Sequence, residues 1–213
     1  MPLFTCVPLG LSQWEEIHHQ RLEIEKFLGS IDGLRYSHGR PRFPDSVEKN
    51  RTGLALLSFT LTSHLVRPRI WSYMCDANAK WQDERQGIKC ERRFKDTRTM
   101  YETAVKYRFM ISPHGIGLDC YRTWEALFLG MIPVVASSSL DTIYRCLPVL
   151  IVNTWEDLTP ELLHQTWNVF QHKQFDYTKL YIAYWQQVFW RYRERPSIQF
   201  EYSLRNVTAQ SKE

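Results

Sequence analysis

The stretch 109–135 constrains the fold more than any other part of the sequence. It begins with an apolar run that stops at Pro113, passes through the glycine-rich turn 114–117, and ends in a second apolar run. Between the turn and the second run, apolar residues recur at helical spacing: Cys120, Trp124, Leu127, Phe128 and Met131. We therefore expect a βαβ unit in which Asp119 caps the helix and Gly130 ends it.

The turn and the helix that follows it form a candidate anion site. Unpaired N–H groups and the positive end of the helix dipole point towards such a turn, and glycine lets a ligand approach the backbone closely. The spacing matches neither a Walker motif nor the complete dinucleotide fingerprint, so spacing alone favours an ordinary strand-to-helix turn. On the helix, Arg122 and Glu125 lie three residues apart, which predicts either a ligand contact or a one-turn salt bridge.

The same alternation of strands and helices continues on both sides of this stretch. Residues 53–59 and 148–152 are apolar runs typical of buried parallel strands, and 88–90 is a possible short strand. Thr99 and Glu102 form a capping-box pattern ahead of another helix. The sequence therefore predicts an α/β fold, a Rossmann-like parallel sheet with helices on both faces.

Three regions are predicted along the 213 residues. Residues 51–195 form the Rossmann-like domain together with a C-terminal helix over 177–193, and 196–213 form a loose tail. Residues 1–50 precede the domain and end in a loop rich in glycine, proline and arginine. A chain of this length has room for one sizeable core but not for two full Rossmann domains.

The composition argues against several other classes of protein. The formal net charge of +4 is mild, and the basic clusters 92–95 and 191–195 are interrupted by acids and aromatics, so we expect no nucleic-acid partner. No apolar run approaches the length of a membrane span, so we expect no membrane segment in this chain and a soluble protein. The 5 cysteines are scattered without a CxxC pair, which predicts reduced thiols or small core residues instead of a disulfide or zinc framework.

The run 112–163, which begins SPHGIGLDCYRTWEALFLGMIPVV, resembles the donor-binding half of exostosin-like glycosyltransferases, glycosyltransferase family 47, including their ribitol xylosyltransferase-like branch. These enzymes have the GT-B fold of two Rossmann-like domains. The resemblance implies that the chain corresponds to the C-terminal half of a GT-B enzyme, with 1–50 as a remnant of the first domain or a linker. A partner domain would then pack on the C-terminal helix.

The resemblance also implies a reaction, namely inverting transfer of a sugar from a nucleotide-sugar donor, expected to be a UDP-sugar, to a glycan or glycoprotein acceptor. The chain contains no DxD motif, which suits metal-independent GT-B chemistry with no further cofactor. The acceptor base of such enzymes commonly lies on the first domain, so no catalytic residue is assigned. A full-length eukaryotic enzyme of this kind would act in the Golgi lumen; otherwise the chain is expected to be cytoplasmic.

The resemblance implies that His114, Gly115, Gly117 and Arg122 face the donor diphosphate and that Glu125 accepts hydrogen bonds from the nucleotide ribose. The family usually has an arginine where His114 stands, and a guanidinium offers a diphosphate a permanent charge and forked donors that a neutral imidazole lacks.

Position alone adds a second group of candidates. Arg67 and Arg69, with His64, follow the first strand of the domain, and the alternative is that they are exposed loop residues. Ser137 and Ser138 follow the strand at 133–135, where serines also cap helices, a role we expect of Ser139.

Two other functions remain open. One is a non-catalytic nucleotide-sugar-binding or interaction module derived from such an enzyme, favoured by the short N-terminal region and by His114. The other is a nucleic-acid-binding α/β protein, which predicts steeply salt-dependent binding.

Overall fold

The computed structural model describes residues 51–76, 81 and 87–193, and the structural statements below concern those residues. The predictions for residues 1–50 and for the tail 196–213 lie outside this part of the chain.

Strands and helices alternate along the described chain. They are β1 Gly53–Leu57, α1 Val66–Cys75, β2 Ile88–Cys90, α2 Thr97–Ala104, β3 Tyr107–Ile111, α3 Tyr121–Phe128, β4 Ile132–Ala136, α4 Asp141–Tyr144, β5 Leu150–Val152, α5 Pro160–Phe170 and α6 Ile182–Arg193. Short 3-10 helices lie at Leu61–Ser63, Trp155–Asp157 and Thr178–Leu180. The predicted alternation is confirmed, and the glycine turn lies between β3 and α3.

The five strands form one parallel sheet in the order β2-β1-β3-β4-β5. Ala55 in β1 is paired with Ile88 on one side and with Phe109 on the other, so β1 is an interior strand. Every residue of β1 is buried, which explains why this strand is a continuous apolar run instead of an alternating one.

Helices cover both faces of the sheet because successive strand residues point in opposite directions. Phe109 and Ile111 face a core shared with α1 and α5, whereas Met110 faces a core shared with α2 and α3. Val135 faces a third cluster, in which α3 and α4 contribute Trp124, Leu127, Ile143 and Tyr144. The prediction of a Rossmann-like sheet with helices on both faces is therefore confirmed.

The connections reverse direction between β1 and β3. Helix α1 carries the chain from β1 to the edge strand β2 over one face, while α3 and α4 carry it from β3 through β4 to β5 over the other. In doubly wound sheets the loops on either side of such a reversal diverge and leave a crevice at the carboxyl ends of the strands, where ligands bind. The fold therefore predicts a ligand site at the loops that follow β1 and β3.

Several helix ends differ in detail from the sequence prediction. Asp96 caps α2 by accepting a hydrogen bond from the Thr99 amide at 2.7 Å, so the capping-box prediction is wrong. The N-cap position of α3 belongs to Cys120 instead of Asp119. The predicted start of α5 is confirmed, since the Thr159 side chain accepts from the Leu162 amide at 3.2 Å.

The prediction that the cysteines are reduced is wrong for one pair. Cys75 and Cys90 form a disulfide with their Cα atoms 5.9 Å apart. The bond joins the end of α1 to the edge strand β2. The two cysteines are 15 residues apart in sequence, and they meet only because β2 returns to pair beside β1.

The chain divides into two compact units, Met1–Leu180 and Tyr181–Glu213, so a boundary falls inside the predicted region 51–195. Helix α6 lies in the second unit and begins at Ile182, later than predicted. Phe189 and Trp190 on this helix are more than half exposed, and the Arg193 guanidinium lies 5.3 Å from the centre of the Trp190 ring. Among the described helices, none has the length and apolar character needed to span a membrane.

Candidate functional site

The crevice at the switch point is bounded by the loop after β1 and the glycine-rich loop after β3. Each loop contributes a histidine, and the rings of His64 and His114 lie edge to face with their centroids 6.1 Å apart. The structure therefore brings together two residues that the sequence only placed after separate strands.

Arg67 in the first turn of α1 holds the two loops together. Its Nε donates to the His114 carbonyl at 2.7 Å, and one Nη donates to the Pro113 carbonyl at 3.0 Å. The other Nη donates to the Thr60 carbonyl at 3.0 Å, and the guanidinium lies 5.5 Å from the centre of the Phe59 ring. Arg67 is buried, and burial lowers its pKa below the ordinary value for arginine. Its guanidinium is therefore engaged with the protein and is not directed at the solvent side of the crevice.

Hydrogen bonds fix complementary tautomers on the two histidines. Nδ1 of His64 accepts from the Val66 amide at 3.1 Å, so in the neutral ring the proton is on Nε2. Nδ1 of His114 lies 3.1 Å from the Leu118 carbonyl, which only accepts, so here Nδ1 donates, and in the neutral ring Nε2 has a lone pair. One ring thus offers a donor and the other an acceptor.

The two glycines of the loop have different structural roles. A Cβ on Gly115 would lie 3.3 Å from an Arg67 nitrogen, so Gly115 permits the close approach of the arginine. A Cβ on Gly117 would meet no atom within 4 Å, so this position faces open space. Ile116 between them is 97% exposed.

The start of α3 closes the glycine loop. In the described structure its N-cap residue, Cys120, makes no side-chain capping hydrogen bond. Asp119 instead accepts from the Trp124 indole at 2.9 Å and from the Cys120 amide at 2.8 Å, which fixes the loop against the helix. A buried contact of 2.8 Å between the hydroxyls of Ser112 and Thr123 joins the end of β3 to the same turn. These contacts join the end of β3, the glycine loop and the start of α3.

Arg122 and Glu125 lie together on the side of α3 that contacts α2. An Arg122 Nη is 2.6 Å from Oε2 of Glu125, and the Tyr101 hydroxyl donates to Oε1 at 3.3 Å. The Glu125 side chain is only 7% exposed. Burial, together with the Glu125 carboxylate, raises the pKa of Tyr101. Both carboxylate oxygens of Glu125 thus have protein partners, an arrangement that matches the salt-bridge alternative.

The two serine candidates lie between β4 and α4. Ser137 donates to Oδ2 of Asp141 at 2.7 Å, and the Ser138 hydroxyl accepts from the Leu140 amide at 3.1 Å, so both serines take part in the turn before α4. The expected cap residue Ser139 is exposed, Leu140 holds the N-cap position of α4 without a side-chain cap, and Asp141 accepts from the Ser138 amide at 2.8 Å.

Arg69 lies on a different side of α1 from Arg67. It faces Glu156 at 3.8 Å, in an exposed ion pair beside a cavity of about 210 Å³ between α1 and the segment after β5. This cavity is smaller than the roughly 300 Å³ at which small-molecule pockets begin.

Sequence reasoning missed the apolar rim of the crevice. Leu65 and Ile116 are almost fully exposed and Leu118 is about half exposed, on the two loops that carry the histidines. The available signal was that these large apolar residues stand in segments that were predicted to be loops.

No protein-family profile matches the chain, and a search of curated proteins found no significant match.

Proposed function

We propose that this chain is the nucleotide-sugar-binding half of an inverting, metal-independent glycosyltransferase of the exostosin-like kind, which transfers sugar to a glycan or glycoprotein acceptor. The observation that carries the proposal is the crevice at the β1/β3 switch point. There the glycine-rich loop, with its open position at Gly117, leads into a helix start without a side-chain cap.

A nucleoside diphosphate is the ligand class that suits this arrangement. The backbone around Gly117 is accessible, the dipole of α3 favours negative charge at its start, and the His64 imidazole offers a donor. The exposed apolar rim suits the non-polar faces of a base or sugar ring. We assign the diphosphate contacts to His114 and Gly117, since the Gly115 amide already donates to the Gly117 carbonyl at 3.1 Å. Arg122 and Glu125 act by fixing α3 against α2.

The disulfide supports a location in the secretory pathway. Disulfides persist mainly in oxidising surroundings such as the secretory pathway, and glycan-modifying enzymes of the proposed kind act in the Golgi lumen. We propose that location for this chain.

A non-catalytic nucleotide-sugar-binding module is the second candidate. It is favoured by the contacts of Arg67. Because its guanidinium donates to three backbone carbonyls, it is not available to a diphosphate, and the side chains that face the ligand are the imidazoles of His64 and His114. Neutral imidazoles stabilise a leaving diphosphate less than guanidinium groups do.

Thermal unfolding in the presence of nucleotides tests the proposal. UDP, GDP, UDP-glucose, UDP-xylose and GDP-glucose are added to the purified chain, and a ligand at about 100 times its dissociation constant adds about 2.7 kcal/mol to the stability. Gly117→Glu places a negative charge in open space beside the site and should abolish the shift. Gly117→Gln, which has the same shape without the charge, should retain most of it.

The outcomes separate the candidates. A base-selective shift that Gly117→Glu removes and Gly117→Gln keeps supports donor binding at this loop, and release or transfer of the sugar then distinguishes an enzyme from a binding module. A folded chain that shows no shift with any of the five ligands would overturn the proposed function.

A further inference from the structure

The two histidines of the crevice have features that the proposed function does not by itself require. Their rings are 6.1 Å apart on separate loops, and their Nδ1 atoms are engaged in opposite senses. Nε2 is in each case the ring nitrogen left for a ligand. His64 presents an N–H there, and His114 presents a lone pair.

A lone pair on His114 is unsuited to an anion unless the nitrogen gains a proton. An oxygen of a diphosphate would face the lone pair with its own negative charge, which is repulsive, whereas a protonated imidazole donates from both nitrogens and adds a positive charge. Because histidine changes charge between about pH 5 and 8, this proton is available under physiological conditions.

The charged groups around His114 are already engaged with the protein. The Arg67 guanidinium already contacts the backbone carbonyl of His114 and Cys120 Sγ, and His64 offers no negative charge. The carboxylate of this loop, Asp119, accepts hydrogen bonds from Trp124 and from the Cys120 amide. A bound diphosphate would supply the negative charge that stabilises a second cation beside Arg67.

We propose that the crevice binds a nucleoside diphosphate group with uptake of one proton at Nε2 of His114, while His64 donates as a neutral ring. This inference rests on the proposed function and adds a pH dependence to it. The bound state holds one more proton than the free state, so affinity is highest at low pH. It falls as the pH rises, by at most tenfold per pH unit for one linked proton.

Asparagine variants remove each Nε2 and preserve the loop contacts. In His114→Asn the amide nitrogen takes the place of Nδ1 and donates to the Leu118 carbonyl. In His64→Asn the amide oxygen takes the place of Nδ1 and accepts from the Val66 amide. Circular dichroism verifies that both variants are folded.

Titration calorimetry with UDP-glucose and GDP-glucose between about pH 6 and 8 provides the test, because the diphosphate of a nucleotide sugar does not itself titrate in this range. The wild-type affinity should fall with rising pH, and heats in buffers of different ionisation enthalpy should report proton uptake. His114→Asn should bind more weakly at pH 6 with little pH dependence. His64→Asn should bind more weakly at every pH but keep the wild-type slope.

The possible failures are distinct. Wild-type binding without pH dependence, or an unchanged slope in His114→Asn, would overturn the proton linkage and leave the proposed function standing. Absence of binding by the folded wild type to both nucleotide sugars at every pH would overturn both. Nitrogen NMR of the free chain gives an independent check, since a proton on Nε2 of neutral His114 instead of Nδ1 would contradict the tautomer on which the inference depends.

Discussion

Single residues decide how the two loops beside the switch point are held together, and Arg67 is the main one. We predict that Arg67→Lys lowers the free energy of unfolding by about 2–3 kcal/mol, because an ammonium group cannot replace three separate donors to the carbonyls of Thr60, Pro113 and His114. Urea unfolding measures the change. Arg69→Lys is the matched control, and it should change the stability by less than about 0.5 kcal/mol because the pair with Glu156 is exposed.

The opposite result would assign Arg67 another role. If Arg67→Lys unfolds at the wild-type urea concentration but loses its nucleotide-induced shift, the guanidinium contacts the ligand and the buried hydrogen bonds are of minor importance.

What the sequence predicts at the residue scale depends on how local the interaction is. The cap of Thr159 on α5 lies within three residues and was predictable. The contacts of Arg67 with the glycine loop span 46 and 47 residues, and the sequence pattern carries no information on which loop is brought against α1. Sequence analysis therefore identified Arg67 and His114 as separate candidates without showing that one holds the other.

Between elements, the pair of Arg122 and Glu125 fixes α3 against α2. We predict that Glu125→Gln lowers the free energy of unfolding by about 2 kcal/mol, because the largely buried Arg122 loses its charged partner and Tyr101 loses a charged acceptor. Glu102→Gln is the control, since it removes an exposed ion pair with Arg98 on α2 and should cost less than about 0.5 kcal/mol. Urea unfolding of the two variants compares the buried with the exposed pair.

Nucleotide binding by the same variants distinguishes the two roles considered for Glu125. A folded Glu125→Gln protein of wild-type stability that no longer binds nucleotide sugars would show that the carboxylate contacts the ribose, contrary to its position against α2.

Elements were more predictable than the contacts between them. The strand, glycine turn and helix at 107–128 were predictable from the spacing of the apolar residues and from the proline and glycines between them. The structure differs from that prediction mainly in the residues that cap the helix. The partner of the polar face of α3 was not predictable. The spacing of Arg122 and Glu125 is compatible both with a ligand contact and with packing against a neighbouring helix. Only the placement of α2 decides between them.

At the scale of the whole molecule, β1 beside the switch point is flanked by the edge strand β2, and the stability of that edge affects the site. Strand β2 has only three residues and pairs with β1, so few hydrogen bonds hold this edge of the sheet. The disulfide between Cys75 and Cys90 compensates by linking the edge strand to the end of α1. The sequence analysis missed it because scattered cysteines are compatible with either redox state.

We predict that Cys90→Ser lowers the free energy of unfolding by about 3 kcal/mol, because a crosslink over 15 residues restricts the unfolded chain by about that amount. Urea unfolding with and without dithiothreitol measures the effect, and the reductant should weaken the wild type but leave the variant unchanged. Cys146→Ser, which removes an exposed free thiol, should behave as the wild type in both conditions. Equal stability of Cys90→Ser and the wild type without reductant would mean that the bond does not form in solution, and the proposed Golgi location would lose its structural support.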